Sequence, residues 1–239
     1  MSNCQAPLAR SAVRLMWSCR MPKRRTSDGL VSRVLGNGAP PGDETSERIL
    51  EAAAQQAEDF GLRRFTIDDV ARRVGVSRVT IYRYFPRKDR LVEAILFREL
   101  RRFLASIDAA VEPYDTVRER LVEGFVFTLT FLRKHALLNR LLRTEPELIL
   151  PALTVNAGPV VAAGRDFVAR FVRQEVEAGR IELSEEDIQG ISEMLARAVL
   201  SFLLTPQSVL RMQTPQEIRR FAEHYLAPVL DALSAPGRD

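Results

Sequence analysis

The side chains best placed to do chemistry fall between residues 66 and 85, in the run Thr66-Ile67-Asp68-Asp69-Val70-Ala71-Arg72-Arg73-Val74-Gly75-Val76-Ser77-Arg78-Val79-Thr80-Ile81-Tyr82-Arg83-Tyr84-Phe85. Arg78, Thr80, Tyr82 and Arg83 lie on the outer part of a short helix opened by Ser77, a face rich in donors able to reach phosphates and base edges. That is the chemistry of recognition. The motifs of catalysis are missing from the sequence: it has no nucleophile elbow, no phosphate loop, no zinc spacing and no paired carboxylates with an obvious partner. Gly36, Gly38 and Gly42 suggest a phosphate loop only loosely, since the spacing is wrong and Pro40 and Pro41 stand where a helix should follow. His135 and His224 read as surface or capping residues. No enzyme activity, no cofactor and no metal site is expected.

Two helices must hold these residues. Thr66 can accept a hydrogen bond from a backbone N–H of the first turn, with Asp69 three residues on. Gly75 can take the positive φ that ends a helix without penalty. Ser77 then caps a second helix only two residues later, so the two must cross steeply, as in a helix-turn-helix. Val70, Ala71, Val74, Val76, Ile81 and Phe85 are spaced to fill the angle between them, and small Ala71 suits the closest approach. Pro86 stops the second helix, and Lys88 lies at the start of the next.

The charge distribution is uneven. Of 239 residues, 35 are Lys or Arg and 31 Asp or Glu, a formal net charge of +4. Residues 1–42 hold seven bases against one acid, and residues 63–90 hold nine against three. A local basic stretch on a balanced body suits a DNA binder, and it also suits a plain solvated face. The composition, 46% apolar and 28% charged, is that of a globular protein. No apolar run reaches the roughly 18 residues of a membrane span. Cys4 and Cys19 have no metal-ligand spacing and suggest no disulfide framework, and no secretory signal is read, so the cytoplasm is the expected compartment.

Along the chain, residues 1–42 read as a disordered basic tail. Met16 and Met21 leave open a later translation start. From Asp43 onward helical periodicity is nearly continuous and no useful strand alternation occurs, so the fold is expected to be all-α. Ile49, Leu50, Ala53, Ala57 and Phe60 form one stripe, with Gly61 as its stop. A longer helix starts near Lys88 and carries Leu100, Phe103, Leu104 and Ile107. Another follows Asp115, with Val117, Leu121, Phe125 and Leu129 toward a core. Pieces around 137–153 are broken by Pro146 and Pro151. A helix near 158–179 ends at Gly179. Ser184 and Asp187 cap the next, to about Leu204. Thr214-Pro215-Gln216-Glu217 is a capping box opening a final helix to about Leu233.

From about Ser46 to Phe97 the sequence resembles the tetracycline-repressor (TetR) family of regulators. Phe60-Gly61, Thr66-Ile-Asp-Asp-Val-Ala, Gly75-Val-Ser77, Thr80-Ile-Tyr82-Arg-Tyr-Phe85 and Lys88-Asp-x-Leu carry the likeness. It implies a three-helix DNA-binding domain over residues 43–87 and a helical ligand-binding and dimerisation domain over 88–239. It implies further that Arg78, Val79, Thr80, Tyr82, Arg83 and Tyr84 lie against DNA in the major groove, that Thr66 and Lys88 grip phosphates on either side, and that Ser77 belongs to the same interface. Many members carry glycine or proline where this chain has Val79, which either touches a thymine methyl or holds Arg78 and Arg83 apart. Tyr82 and Tyr84 are also readable as packing residues, and Arg78 as solvated.

The family's implied partners are an inverted-repeat operator in double-stranded DNA, a second copy of the chain, an apolar small molecule, and no membrane. The implied function is repression relieved by that small molecule. Apolar residues at 218, 221, 222, 225, 226, 229, 230 and 233 make a stripe wider than one core normally uses, which fits a dimer interface, although burial within one subunit would also use it. Phe103, Phe125, Phe127, Phe131 and Met194 are the candidates to line a ligand cavity, and each is readable as plain core.

Overall fold

The computed structural model describes residues 43–234, and within them every regular element is helical. The tail expected over residues 1–42 lies outside the described residues. Helix α1 spans Glu44–Phe60, α2 Ile67–Val74, α3 Arg78–Tyr84 and α4 Lys88–Val111. They are followed by α5 Val117–Lys134, α6 Ala136–Thr144, α7 Pro146–Leu153, α8 Gly158–Glu177 and α9 Glu185–Leu204. A last segment runs as α10 Pro215–Phe221, a π-helical turn Ala222–Leu226, and α11 Ala227–Leu233.

The boundaries follow from capping chemistry. Asp43, Thr66, Ser77, Thr116, Ser184 and Thr214 each accept a backbone N–H of the helix they open. Thr116 and Thr214 also close full capping boxes with Glu119 and Glu217. Gly75 takes a left-handed conformation, φ 78°, which lets α2 end and α3 begin within three residues.

Two large hydrophobic cores organise the described residues, beside a small cluster of Ala169, Val172 and Ile188 where α8 meets α9. The first joins Ile49, Leu50, Ala53, Ala57, Val70, Ile81 and Phe85 of the N-terminal helices to Leu91 and Ile95 of α4. Leu137, Leu141 and Ile149 of α6 and α7 are buried in the same core. The second packs Val122, Phe125, Val126 and Leu129 of α5 against Ile191, Leu195, Ile218, Leu226 and Leu230. Helix α4 spans the distance between them, about 35 Å at 1.5 Å per residue.

Three sequence expectations need correction. Phe60 is not part of the buried stripe; it is half-exposed, and Leu62 and Phe65 beyond Gly61 are buried in the core instead. Pro151 does not break the chain, because it sits inside the short α7, which ends two residues later and loses little of its ladder. The final helix is not continuous. Pro228 has no N–H to give to the carbonyl four residues back, and just before it the N–H of Ala227 reaches Ala222, one residue further than in an α-helix.

Candidate nucleic-acid interface and apolar cavity

Helix α3 is held from beneath and open above. Ile81 and Phe85 are buried, whereas Val79 is 78% and Tyr82 41% exposed. The Ser77 hydroxyl accepts the Thr80 N–H at 3.1 Å and lies 2.9 Å from the Thr80 hydroxyl, so these two residues are bonded to each other at the helix start. Arg78 pairs with Asp68 of α2, Nε to Oδ1 at 2.9 Å, with both side chains more than half solvent-exposed or nearly so. Such an exposed pair contributes only ~0–1 kcal/mol, so the guanidinium is aimed but can be drawn away. Arg83 stacks over the Tyr84 ring, 5.2 Å from its centroid.

Tyr84 faces differently from its neighbours. Its hydroxyl donates to Asp43 Oδ2 at 2.6 Å, and its ring packs on the first core. Asp43 is also the cap of α1, accepting the Ser46 N–H at 2.7 Å. The Tyr84 hydroxyl, followed by the Ser46 amide, holds the Asp43 carboxyl below the ordinary aspartate range. A carboxyl depressed in this way adds stability above its unfolded value near ~3.9 and loses that contribution as pH falls further. Tyr84→Phe should therefore soften the acid-induced loss of structure below about pH 4, followed by circular dichroism. An unchanged acid profile would show that the tether is idle.

Thr66 and Lys88 sit on either side of this unit. Thr66 accepts the Asp69 N–H at 3.2 Å and donates its hydroxyl to Asp69 Oδ2 at 2.6 Å. Lys88 Nζ donates to the Arg63 carbonyl at 2.9 Å and lies 4.6 Å from the centre of the Phe65 ring. Burial pushes the Lys88 ammonium below the usual lysine value. Lys88 is thus fixed beside the loop that leads into Thr66. Arg48 of α1 donates to the Val74 carbonyl at 3.1 Å, locking α1 onto the end of α2.

Sequence reading missed the residue that ties this unit to the rest of the chain. Glu145, between α6 and α7, is 5% exposed, and its carboxylate accepts the Leu62 N–H at 3.1 Å and the Arg63 N–H at 3.2 Å. Gly61 makes room for it: φ is +86°, and a Cβ there would stand 2.2 Å from Glu145 Oε1. Glu147 adds an ion pair to Arg63 at 2.6 Å. No local pattern marks Glu145, because its partners lie 83 and 82 residues away.

Helices α4, α5, α8 and α9 line a partly open apolar cavity of about 290 Å³. Phe103 and Phe125 line it, together with Leu104, Phe167, Phe171 and Val199. Phe127 and Phe131 do not; they line a separate, more open cleft with Thr130 and Lys134, where Phe131 packs against Phe103 and His135. Met194 borders neither and is exposed on α9. His135 caps α6, its Nδ1 accepting the Leu138 N–H, and Nε2 lies 3.4 Å from Glu99. Among the described residues no cluster suited to a metal ion occurs, and no single helix is long and apolar enough to cross a membrane.

The profile of bacterial regulatory proteins of the tetR family matches residues 49–95, the segment holding α2, α3 and their supports. The profile of the Bacterial Tetracyclin repressor C-terminal domain matches residues 117–224, the segment holding most of the cavity wall. The chain belongs to the TetR family. Relatives include the HTH-type transcriptional regulator EthR of Mycobacterium tuberculosis, 38% identical over 106 residues that cover 42% of this chain and 47% of EthR. The HTH-type regulator YhgD of Bacillus subtilis is 26% identical over 131 residues, 55% of this chain and 66% of YhgD. The chain spans about half to two-thirds of the length of these curated relatives. The TetR-family repressor AlkX from Dietzia superposes with a TM-score of 0.56 at 21% identity, covering 79% of this chain and 98% of AlkX. A regulator from Mesorhizobium loti gives 0.56 at 14% identity over 80% and 97%. These likenesses establish the TetR fold, all-α with a helix-turn-helix followed by a helical body.

Proposed function

We propose that this TetR-family chain is a cytoplasmic, homodimeric repressor that occupies an inverted-repeat operator and leaves it when an apolar small molecule fills the cavity. The observation that carries the reading is the contact between cavity wall and DNA-facing unit. Leu138 of α6 and Leu153 of α7 line the cavity and also pack against the first core. Between them, Glu145 holds the loop that precedes α2. A ligand that moves the α6–α7 hairpin therefore displaces backbone amides at the foot of the helix-turn-helix, and shifts the population that fits DNA.

In this reading Arg78, Val79, Thr80, Tyr82 and Arg83 meet the major groove, while Ser77, Thr66 and Lys88 face the phosphates and Tyr84 serves mainly as a tether. A reporter tests the direction of control. With the selected operator placed across a promoter, the chain should lower expression, and a rise would make it an activator.

Dimerisation is supported by the side of the last helices that the second core leaves uncovered. Ile218, Leu226 and Leu230 are buried, while Tyr225 is 52%, Val229 37% and Met194 of α9 37% exposed. Sedimentation should give twice the 27.0 kDa of one chain. Val229→Asp should return the single-chain mass with helix content retained, since an unpaired charge in an apolar interface is strongly disfavoured. A dimer undisturbed by this change would move the interface elsewhere.

A further inference from the structure

We propose that Arg64 and Arg87 extend the phosphate-gripping surface of the DNA-facing unit, so that the duplex backbone runs along the loop before α2 and the start of α4. The outer end of α2 takes no part. This inference rests on the DNA-binding reading above and assigns two residues that it leaves unused. The exposed arginines of the unit divide by their partners. At the end of α2 each has an acid of its own: Arg72 pairs with Asp69 at 3.3 Å, and Arg73 with Asp59 of α1 at 3.4 Å. The carboxylate beside each guanidinium offsets its pull on an incoming phosphate. Arg64 and Arg87 are different. Both are exposed, and among the described residues neither guanidinium has a hydrogen bond, an ion pair or a ring contact. Each keeps five N–H donors and a full charge for a partner from outside.

The fold brings the two into one patch. Lys88 Nζ donates to the Arg63 carbonyl at 2.9 Å, which pins the start of α4 against the loop before α2. Arg87 precedes Lys88 and Arg64 follows Arg63, so both residues flank that one bond. Their neighbours are already committed. Arg63 pairs with Glu147 at 2.6 Å, and Arg90 with Glu93 at 2.9 Å. Lys88 spends one ammonium hydrogen on the carbonyl and has Glu145 and Asp89 near it. The uncompensated charge of the patch therefore lies at Arg64 and Arg87. The patch is also continuous with the recognition helix, because α3 ends at Tyr84 and Arg87 is the cap residue of α4. A guanidinium meets a phosphate through two parallel bonds that carry no base information. These two residues accordingly set affinity and leave sequence preference to α3.

The test measures binding of the full chain to its selected operator and to an unrelated duplex over a salt series. Arg64→Gln combined with Arg87→Gln removes four charges from a dimer. It should flatten the dependence of log affinity on log salt by about three to four, at roughly 0.9 per phosphate. Both duplexes should bind at least about tenfold more weakly at physiological salt, with the selected bases unchanged. Arg64→Lys combined with Arg87→Lys keeps the charge and should restore most of the slope. The matched control, Arg72→Gln combined with Arg73→Gln, should move the slope by less than about one. Circular dichroism should give the Arg64 and Arg87 variants the unfolding midpoint of the unaltered chain, since neither guanidinium holds another described residue. An unchanged slope without Arg64 and Arg87, or an equal loss in the control, overturns the inference while the sequence-specific regulator stands. A shifted base preference also overturns it, by making these residues readers of sequence. Failure of the unaltered chain to bind either duplex overturns the inference and the DNA-binding reading together.

Discussion

Glu145→Ala should lower the thermal unfolding midpoint by roughly 5–15 °C and disconnect DNA binding from the cavity. The carboxylate serves two backbone donors, Leu62 N–H and Arg63 N–H, at a site almost closed to water. Leaving the buried Leu62 donor unserved costs about 1–3 kcal/mol, and the part-buried Arg63 donor about 1 kcal/mol more, so about 2–4 kcal/mol together. In a chain of this size, each 1 kcal/mol shifts the midpoint by roughly 2–4 °C. Lys88, whose ammonium burial already disfavours, loses a nearby negative charge as well. Glu145→Gln keeps one acceptor and should fall between. Scanning calorimetry checks the stability and anisotropy of labelled operator checks the coupling. The ligand should bind the Ala variant with little effect on its DNA affinity. A variant that unfolds normally and still releases DNA on ligand binding would remove Glu145 from the pathway.

Arg78→Ala and Lys88→Ala should fail in different ways. Arg78 stands at the first position of α3, outside the core and paired with Asp68. If its guanidinium pairs with a guanine edge, its loss should weaken operator binding by about 1–3 kcal/mol per half-site and relax one base position in each. Asp68→Asn should do the reverse to overall affinity, modestly, by releasing the same guanidinium from its competing partner. Lys88→Ala should weaken specific and non-specific DNA alike and reduce the salt slope by about one per contact. It should also destabilise the fold slightly, because Lys88 holds the Arg63 carbonyl. Uniform loss of affinity from Arg78→Ala, with altered base preference from Lys88→Ala, would exchange the two roles.

What could be read from the sequence was local. Thr66, Gly75, Ser77 and Thr214 fix helix ends through bonds spanning three or four residues, so their chemistry is visible in a short window. The helix-turn-helix follows from those ends and from the spacing of Val70, Ala71, Val74 and Ile81, all of which are buried. Partnership across long separations was not readable. Periodicity places Phe125 and Phe127 on the same helix without saying that one meets the cavity and the other a different cleft. Phe167 and Phe171 of α8 carry the same helical signal as Phe127 and Phe131, and only the packing of α8 on α9, close enough at Gly164 to bring Ala196 near, turns them inward. Pro228 was a legible warning that the last helix would not stay regular, and the π-helical turn is its consequence. Tyr84 shows the same limit: the sequence offers contact or packing, and its bond to Asp43 spans 41 residues.

Paired copies of α3 should recognise one DNA sequence and not DNA in general. The most direct test is selection of bound duplexes from a random pool by the full chain at physiological salt. An inverted repeat should be enriched, with half-sites on one face of the duplex about one helical turn or a small multiple apart. Arg78→Ala should lose information at the same position in both halves. A pool that stays random while binding only weakens with salt would contradict it, leaving a non-specific basic surface in place of a recognition helix.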